Sequence, residues 1–321
     1  MTDRYARQTV LAEVGAAGQA RLASSSVLVV GAGGLGCPVL QYLSGAGVGR
    51  LTIVDHDSVE ETNLHRQPLY GMADLGKPKV EAARDRLQRF NPGVAIETVV
   101  ARLTPQNANA LVSSADVVVD AADSFAVSYM LSDACHAAAK PLVSASVIGL
   151  TGYAGAFCGG GPSYRAVFPE VSIDGSTCAS VGVLGTAVAV LGSLQAHLAL
   201  HLLLGLEPSV LGRVITFDAQ KVVFGGFGFA GSPEPATAVR FIAPDEVRAD
   251  DLVVDLRGAD EAPQTFAGGR RLPVDHVAAL AAQPRPAGRI VLCCRSGQRA
   301  LMAADALRER GLSNLALVAL G

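Results

Sequence analysis

The sequence predicts an α/β fold: a doubly wound, mostly parallel sheet followed by a second, smaller α/β unit. Three observations carry this expectation. Short apolar runs of strand length alternate with segments of helical apolar spacing. Half of the 321 residues are hydrophobic, with Ala, Val, Leu and Gly dominant and Trp absent, which suits a sheet covered on both faces by aliphatic helices. A glycine-rich turn, Gly31-Ala32-Gly33-Gly34-Leu35-Gly36, directly follows an apolar strand and opens a helix.

In chain order, Ser26–Val30 reads as a buried strand, Gly31–Gly36 as the turn and Cys37–Ala46 as a helix. Leu51–Asp55 is the next strand, and its terminal acid follows the glycines by about 20 residues, as in dinucleotide-binding folds. Lys79–Phe90 has helical spacing and stops before Asn91-Pro92. Strands follow at Ala95–Val100, Asp116–Asp120 and Pro141–Ala145. From Gly149 the glycines become frequent, predicting hairpins and a loop, and Val167–Ser176 reads as an irregular, mobile segment. Val181–Leu206 is helical; Gln195, His197 and His201 within it favour a buried helix over a membrane span. Strands at Arg213–Phe217 and Lys221–Phe224 precede a linker over Gly225–Thr237, rich in Gly, Pro, Ser and Ala. The second unit begins near Val239, with strands at Leu252–Asp255 and Arg289–Leu292 and a helix over Gln298–Glu309. The expected division is therefore a nucleotide-binding unit over 1–230 and a small unit over 239–321.

Composition excludes several classes. A net charge of −3 with no basic cluster gives no electrostatic case for nucleic acid. Six cysteines, none spaced as Cys-x-x-Cys, support neither a disulfide scaffold nor a zinc ribbon. The segment Met1–Gln8 lacks the apolar core of a signal peptide, so a reduced, cytoplasmic protein is expected.

The chemistry concentrates in two places. Glycines at 31, 33 and 36 permit a tight turn and close backbone approach to phosphate at a helix N-terminus. Beyond Asp55-His56-Asp57 come Asn63, Arg66, Gln67 and Lys79, whose cations are placed in sequence to neutralise a polyphosphate, with Asp57 alternatively a helix cap. Asp123 follows the Asp116–Asp120 strand, where a carboxylate can hold Mg²⁺. Far downstream, Cys294-Arg295-Ser296-Gly297-Gln298-Arg299-Ala300 places a cysteine in a small loop whose backbone N–H groups and arginine would surround an anionic sulfur. Cys293 would point to the opposite face of its strand.

In order along the chain, Arg4–Gln8, Gly31–Gly36, Asp55–Asp57, Thr62–Gln67, Pro78-Lys79 and Asp120–Asp123 resemble the MoeB/ThiF/HesA family, whose members are similar to ubiquitin-activating enzymes. The resemblance spans about residues 4–225. It implies a Rossmann-like sheet of the ThiF/MoeB type and ATP-dependent adenylation of the C-terminal Gly-Gly carboxylate of a ubiquitin-like sulfur-carrier protein. It further implies that Gly34 contacts phosphate, Asp55 holds the ribose, Asn63, Arg66 and Lys79 grip the phosphates, and Asp123 binds Mg²⁺. Arg7 would reach the nucleotide of the neighbouring subunit in a homodimer. The chain departs from the family at Ser124, usually Asn, and Ser128, usually Arg; the first zinc pair would fall at Ser163 and Ala166 and the second is missing, so no zinc is expected.

Two cysteines are candidates for sulfur chemistry. Cys178 resembles the family's crossover-loop cysteine, and the Cys294 loop resembles the active loop of rhodanese sulfurtransferases, with Asp255-Leu256-Arg257 as the matching acid–Arg pair. Phe266–Pro273 stands where a rhodanese has a different segment, which marks the second unit as short and degenerate. The resulting expectation is an adenylyltransferase with a rhodanese-like sulfur donor, loaded by a partner such as a cysteine desulfurase, with Cys294 or else Cys178 carrying a persulfide. The competing expectations are a non-catalytic carrier-binding module and an NAD- or FAD-dependent oxidoreductase built on the same glycines.

Overall fold

The computed structural model describes residues 3–169 and 182–321. Strands β1 (Ser26–Val30), β2 (Arg50–Val54), β3 (Ala95–Val99), β4 (Val117–Asp120) and β5 (Pro141–Ile148) form a parallel array. Strands β6 (Thr151–Cys158), β7 (Arg213–Asp218) and β8 (Val223–Gly228) extend it antiparallel, giving the order β3-β2-β1-β4-β5-β6-β7-β8. The order reverses beside β1, which has β2 on one side and β4 on the other. In open α/β sheets this switch opens a crevice at the carboxyl ends of the strands.

Strand side chains alternate between two cores, as the two-residue period of a strand requires. Val27 and Val29 of β1 face α3 (Gly36–Ala46), α4 (Lys79–Phe90) and α8 (Gly185–Leu204), counting helices α1 (Ala6–Thr9), α2 (Gly15–Ser24), α5 (Pro105–Ser113), α6 (Phe125–Ala137) and α7 (Tyr164–Val167) in chain order. Leu28 and Val30 face the opposite core, which holds α5 and α6. Helix α8 is long and apolar enough to cross a membrane by length and composition; in the structure it lies on the sheet against β4–β6 and α3. Gln195, in the middle of α8, is fully buried and donates to the Asp120 carbonyl at 2.6 Å, which fits a core helix.

A second, all-parallel sheet contains β9 (Leu252–Asp255), β10 (Arg270–Arg271), β11 (Ile290–Cys294) and β12 (Leu315–Ala319) in the order β10-β9-β11-β12, covered by α9 (Gln298–Arg308). The core that holds α6 continues into this sheet through Phe241, Val254, Leu292, Cys294 and Leu317. Several sequence expectations are corrected here. The strand expected at Lys221–Phe224 starts at Val223, because Val222 adopts a φ of +56° that no strand tolerates, and it runs on to Gly228. The expected linker therefore begins inside the sheet. Strands β10 and β12 add to the two strands expected in the second unit, and the segment read as degenerate supplies β10 and a backbone N–H, from Phe266, that binds Asp255 at 2.8 Å.

Candidate functional site

The glycine turn packs its first residue, Gly31, directly against the backbone of the neighbouring strand ends. Gly31, at φ +99°, donates to the Val54 carbonyl at 2.8 Å, and a Cβ on it would lie 2.5 Å from the Ala121 carbonyl oxygen. A Cβ on Gly36 would lie 2.1 Å from the Gly31 oxygen. Gly34 is blocked by Val188 of α8 at 2.8 Å. Gly33 is different: the nearest atom to a Cβ there is Gln67 Nε2 at 3.6 Å, so its open side faces a cavity. Tyr70 fastens the turn from below, its hydroxyl donating to the Ala32 carbonyl at 2.7 Å.

That cavity, of about 410 Å³, lies at the switch point. It is lined by Gly31, Gly33, Gly34, Asp55, Asp57, Asn63, Arg66, Gln67, Lys79 and Asp123, so ten of the residues expected at the nucleotide converge there. Asp55 is oriented by two backbone donors, Ala32 N–H at 2.7 Å and Asp57 N–H at 2.8 Å. Asn63 Oδ1 accepts from Arg66 at 3.0 Å, which aims the guanidinium. Lys79 is buried and donates to Asp57 at 2.9 Å; Asp57 is thus its counter-ion and not a helix cap. Burial opposes the charge on Asp57, but the Lys79 ammonium, aided by His56 and Arg102, holds its carboxyl below the usual range. Gln67 is buried, with its Nε2 beside Gly33 and its Oε1 without a hydrogen-bond partner among the described residues.

On the other side of the crevice, Asp120 is fully buried and Asp123 is exposed to the cavity. Ser128 Oγ donates to Asp120 at 2.6 Å and Ser144 Oγ at 2.8 Å. Burial nonetheless pushes the Asp120 carboxyl up to about 6. At the position where the family usually has Arg, Ser128 thus serves as a hydrogen-bond donor to a buried carboxylate. The Asp123 carboxylate makes no hydrogen bond or ion pair with any described residue, so its lone pairs remain available to a cation.

The second sheet closes the mouth. Phe241, Ile242, Pro244, Arg295, Ser296 and Leu320 line the same cavity. Sequence reasoning missed these residues and also Arg102, because no local pattern reports a contact between distant segments. Cys294 lies at the end of β11 with no accessible surface. Burial pushes its thiol up, while backbone N–H groups of Ala300, Gly297 and Arg299 and the Arg299 charge pull the other way. Arg299 is held by Glu261 through two 2.6 Å hydrogen bonds, and Arg257 grips Asp255 at 3.0 and 2.7 Å. Cys293 faces the opposite core, with Val253, Val291 and Val318, as the strand period requires.

The ThiF family model matches residues 5–228. The chain belongs to the ThiF family. Among its relatives, the adenylyltransferase and sulfurtransferase MOCS3 of Anopheles gambiae is 46% identical over 224 residues, covering 69% of this chain and 51% of that protein. The sulfur carrier protein adenylyltransferase of Thermus thermophilus is 45% identical over 230 residues, 69% of this chain and 85% of that protein. The probable adenylyltransferase/sulfurtransferase MoeZ of Mycobacterium tuberculosis is 33% identical over 349 aligned positions, 97% of this chain and 89% of that protein. The chain spans about half the length of the MOCS3 relatives it matches. Among solved structures, E. coli MccB shares the fold at a TM-score of 0.65 and 22% identity, over 75% of this chain and 73% of that one.

Within the ThiF unit, two of the described residues expected at the nucleotide, Gly36 and Arg7, are not part of the cavity lining. Arg7 is exposed on α1, outside this cavity, while its neighbours Tyr5 and Gln8 anchor the segment: Tyr5 Oη accepts from Asn91 at 2.8 Å, and Gln8 donates to the Ala46 carbonyl at 3.0 Å. Cys178 falls outside the described residues. At the position matched to a zinc pair, Ser163 is held through its N–H and hydroxyl by Glu234, both at 2.6 Å. Arg165 pairs with Asp133 and sits 4.6 Å above the Tyr129 ring.

Proposed function

We propose that the protein adenylates the C-terminal Gly-Gly carboxylate of a ubiquitin-like sulfur-carrier protein and that its second unit is a rhodanese-like sulfur donor. One observation carries the reading: the glycine turn, the Asp55 carboxylate, the Asn63–Arg66 pair, Lys79 and Asp123 line one cavity, and the Cys294 loop forms part of its wall. ATP fits the donor set. The open side of Gly33 leaves room for phosphate, and Asp55 is aimed to accept from ribose hydroxyls. Gly34 and the start of α3 offer backbone N–H groups to phosphate, and Arg66 and Lys79 offset the repulsion as the carrier carboxylate attacks the α-phosphorus. Asp123 suits Mg²⁺, which when bound would neutralise charge developing towards pyrophosphate. No zinc enters the scheme.

Sulfur transfer follows on the acyl-adenylate. A persulfide on Cys294, supplied by a donor such as a cysteine desulfurase, attacks the acyl carbon with its terminal sulfur. The C–O bond breaks and AMP leaves with the electron pair. A thiol, either Cys178 or an added reductant, then exchanges with the S–S bond, releasing the thiocarboxylate and forming a disulfide with Cys294. Arg7 would serve the nucleotide of the neighbouring subunit of a homodimer. The five described cysteines, all unpaired, suit a reduced, cytoplasmic setting, and neither a membrane nor nucleic acid is part of the proposal.

The test is ATP–pyrophosphate exchange with a purified Gly-Gly-ending carrier from the same genome. Carrier-dependent exchange that falls by at least a hundredfold in Asp123→Ala is expected, on the scale of losing one charge-stabilising group (roughly 10²–10³). Absence of exchange with every such carrier would overturn the adenylation reading.

A further inference from the structure

The loop that carries the sulfur cysteine also reaches into the nucleotide cavity. Arg295 and Ser296 line the same space as Gly33, Arg66, Lys79 and Asp123. The loop is fastened there through its backbone. The Ser296 carbonyl accepts from the Ala126 N–H at 3.3 Å, at the start of α6, and the Arg295 carbonyl accepts from the Gly321 N–H at 2.9 Å. Gly297 packs without slack, since a Cβ on it would lie 2.8 Å from the Phe241 ring and 2.9 Å from Ala126. The backbone of Arg295 is therefore fixed at the cavity wall while its side chain is not.

Other arginines of this unit are engaged. Arg257 holds Asp255, Arg289 holds Asp251 and Arg299 holds Glu261, each through a two-pronged pair. The Arg295 guanidinium has no hydrogen bond or ion pair with any described residue, and the residue is exposed on the cavity side. Within the cavity, the Lys79 charge is already offset by Asp57 and the Arg66 guanidinium is turned towards Asn63. An additional planar, five-donor cation at the mouth complements a polyanion, and guanidinium groups bind phosphate in two-pronged fashion.

We propose that Arg295 binds a phosphate of the adenosine nucleotide, so that the sulfur-bearing unit contributes a residue to the adenylation site. The inference rests on the reading of the cavity as an ATP site. By linkage, a nucleotide that touches both units favours their docked arrangement, and the docked arrangement favours the nucleotide to the same extent. The loop that will supply sulfur is thereby held beside the site when an adenylate occupies it.

Calorimetric titration of the full chain with a non-hydrolysable ATP analogue and, separately, with adenosine tests this. Arg295→Ala is expected to weaken the ATP analogue about tenfold, the scale of one hydrogen bond to a charged group. It should leave adenosine affinity within twofold, because adenosine carries no phosphate. Arg295→Lys should recover part of the loss. Unchanged ATP affinity in Arg295→Ala overturns the proposal, as does an equal loss of ATP and adenosine affinity, which would report a displaced loop instead of a lost phosphate contact. Failure of the unaltered chain to bind the ATP analogue would overturn the ATP reading and this inference together; binding by the unaltered chain with no effect of the substitution overturns only the latter.

Discussion

Gly33→Ala should separate folding from nucleotide binding. At Gly31 and Gly36 a methyl group collides with backbone oxygens at 2.5 and 2.1 Å, and backbone cannot move aside as a flexible side chain does. Gly36→Ala is therefore expected to cost about 3 kcal/mol, the upper end for overpacking, and to lower the melting temperature by roughly 6–12 °C in a chain of this size. At Gly33 the nearest atom is 3.6 Å away, an ordinary contact, and the backbone is outside the left-handed region. Its stability should change by no more than about 0.5–1 kcal/mol, with a gain favoured because alanine narrows the unfolded ensemble. The same methyl, however, occupies the space through which a phosphate approaches the turn. Thermal melts paired with titration of an ATP analogue should show an unchanged or slightly raised melting temperature together with at least a tenfold loss of affinity. Gly33→Ala protein that melts normally and binds the analogue as tightly as the unaltered chain would refute the placement of phosphate at this turn.

Two further outcomes are expected. Asp120 has a folded-state value of about 6 against an ordinary 3.8, so folding favours its protonated form. That contribution is complete below about 3.8 and is lost as pH rises through about 6, at a total of roughly 3 kcal/mol. In urea unfolding between pH 4 and 7, the stability of Asp120→Asn relative to the unaltered chain should therefore climb by about that amount, and parallel pH profiles would contradict the assignment. Cys294→Ala should abolish thiocarboxylate formation, measured by intact mass of the carrier, and leave ATP–pyrophosphate exchange within about twofold; equal loss of both steps would contradict the division of labour between the two units.

Much of the nucleotide site on the larger sheet was legible in the sequence because its signal is local. The turn, the acid just after β2 and the Thr62–Gln67 run lie in short stretches whose spacing reports a strand–turn–helix unit. The Lys79–Asp57 pair was not legible, since it joins residues on either side of an irregular segment. Ser128 read as a departure because its purpose, a hydrogen bond to a buried carboxylate, exists only after α6 folds back over β4. Strand β10 has two residues and carries no periodicity at all, whereas β12 is an apolar run that sequence alone assigns equally to a helix. Closure of the cavity by Phe241, Arg295 and Leu320 depends wholly on how one sheet meets the other.

The Ser163–Glu234 contact has a mechanical consequence. It ties residue 234 to the larger sheet, while Arg308 of α9 holds Thr237 through its carbonyl at 3.0 Å and its hydroxyl at 2.7 Å. The backbone just beyond is tied as well: the Ile242 N–H donates to the Leu317 carbonyl at 2.8 Å and the Leu317 N–H donates to the Arg240 carbonyl at 3.0 Å, which stitches 240–242 along β12. Only Pro235 and Ala236 lie between the two anchorages, a tether of about 10 Å at full stretch. While both anchorages hold, the smaller sheet can pivot about this point but cannot travel. The proposed sulfur donor, carried on such a short arm, would serve the cavity of its own chain, and handing sulfur to a more distant acceptor would first require Glu234 or Thr237 to let go.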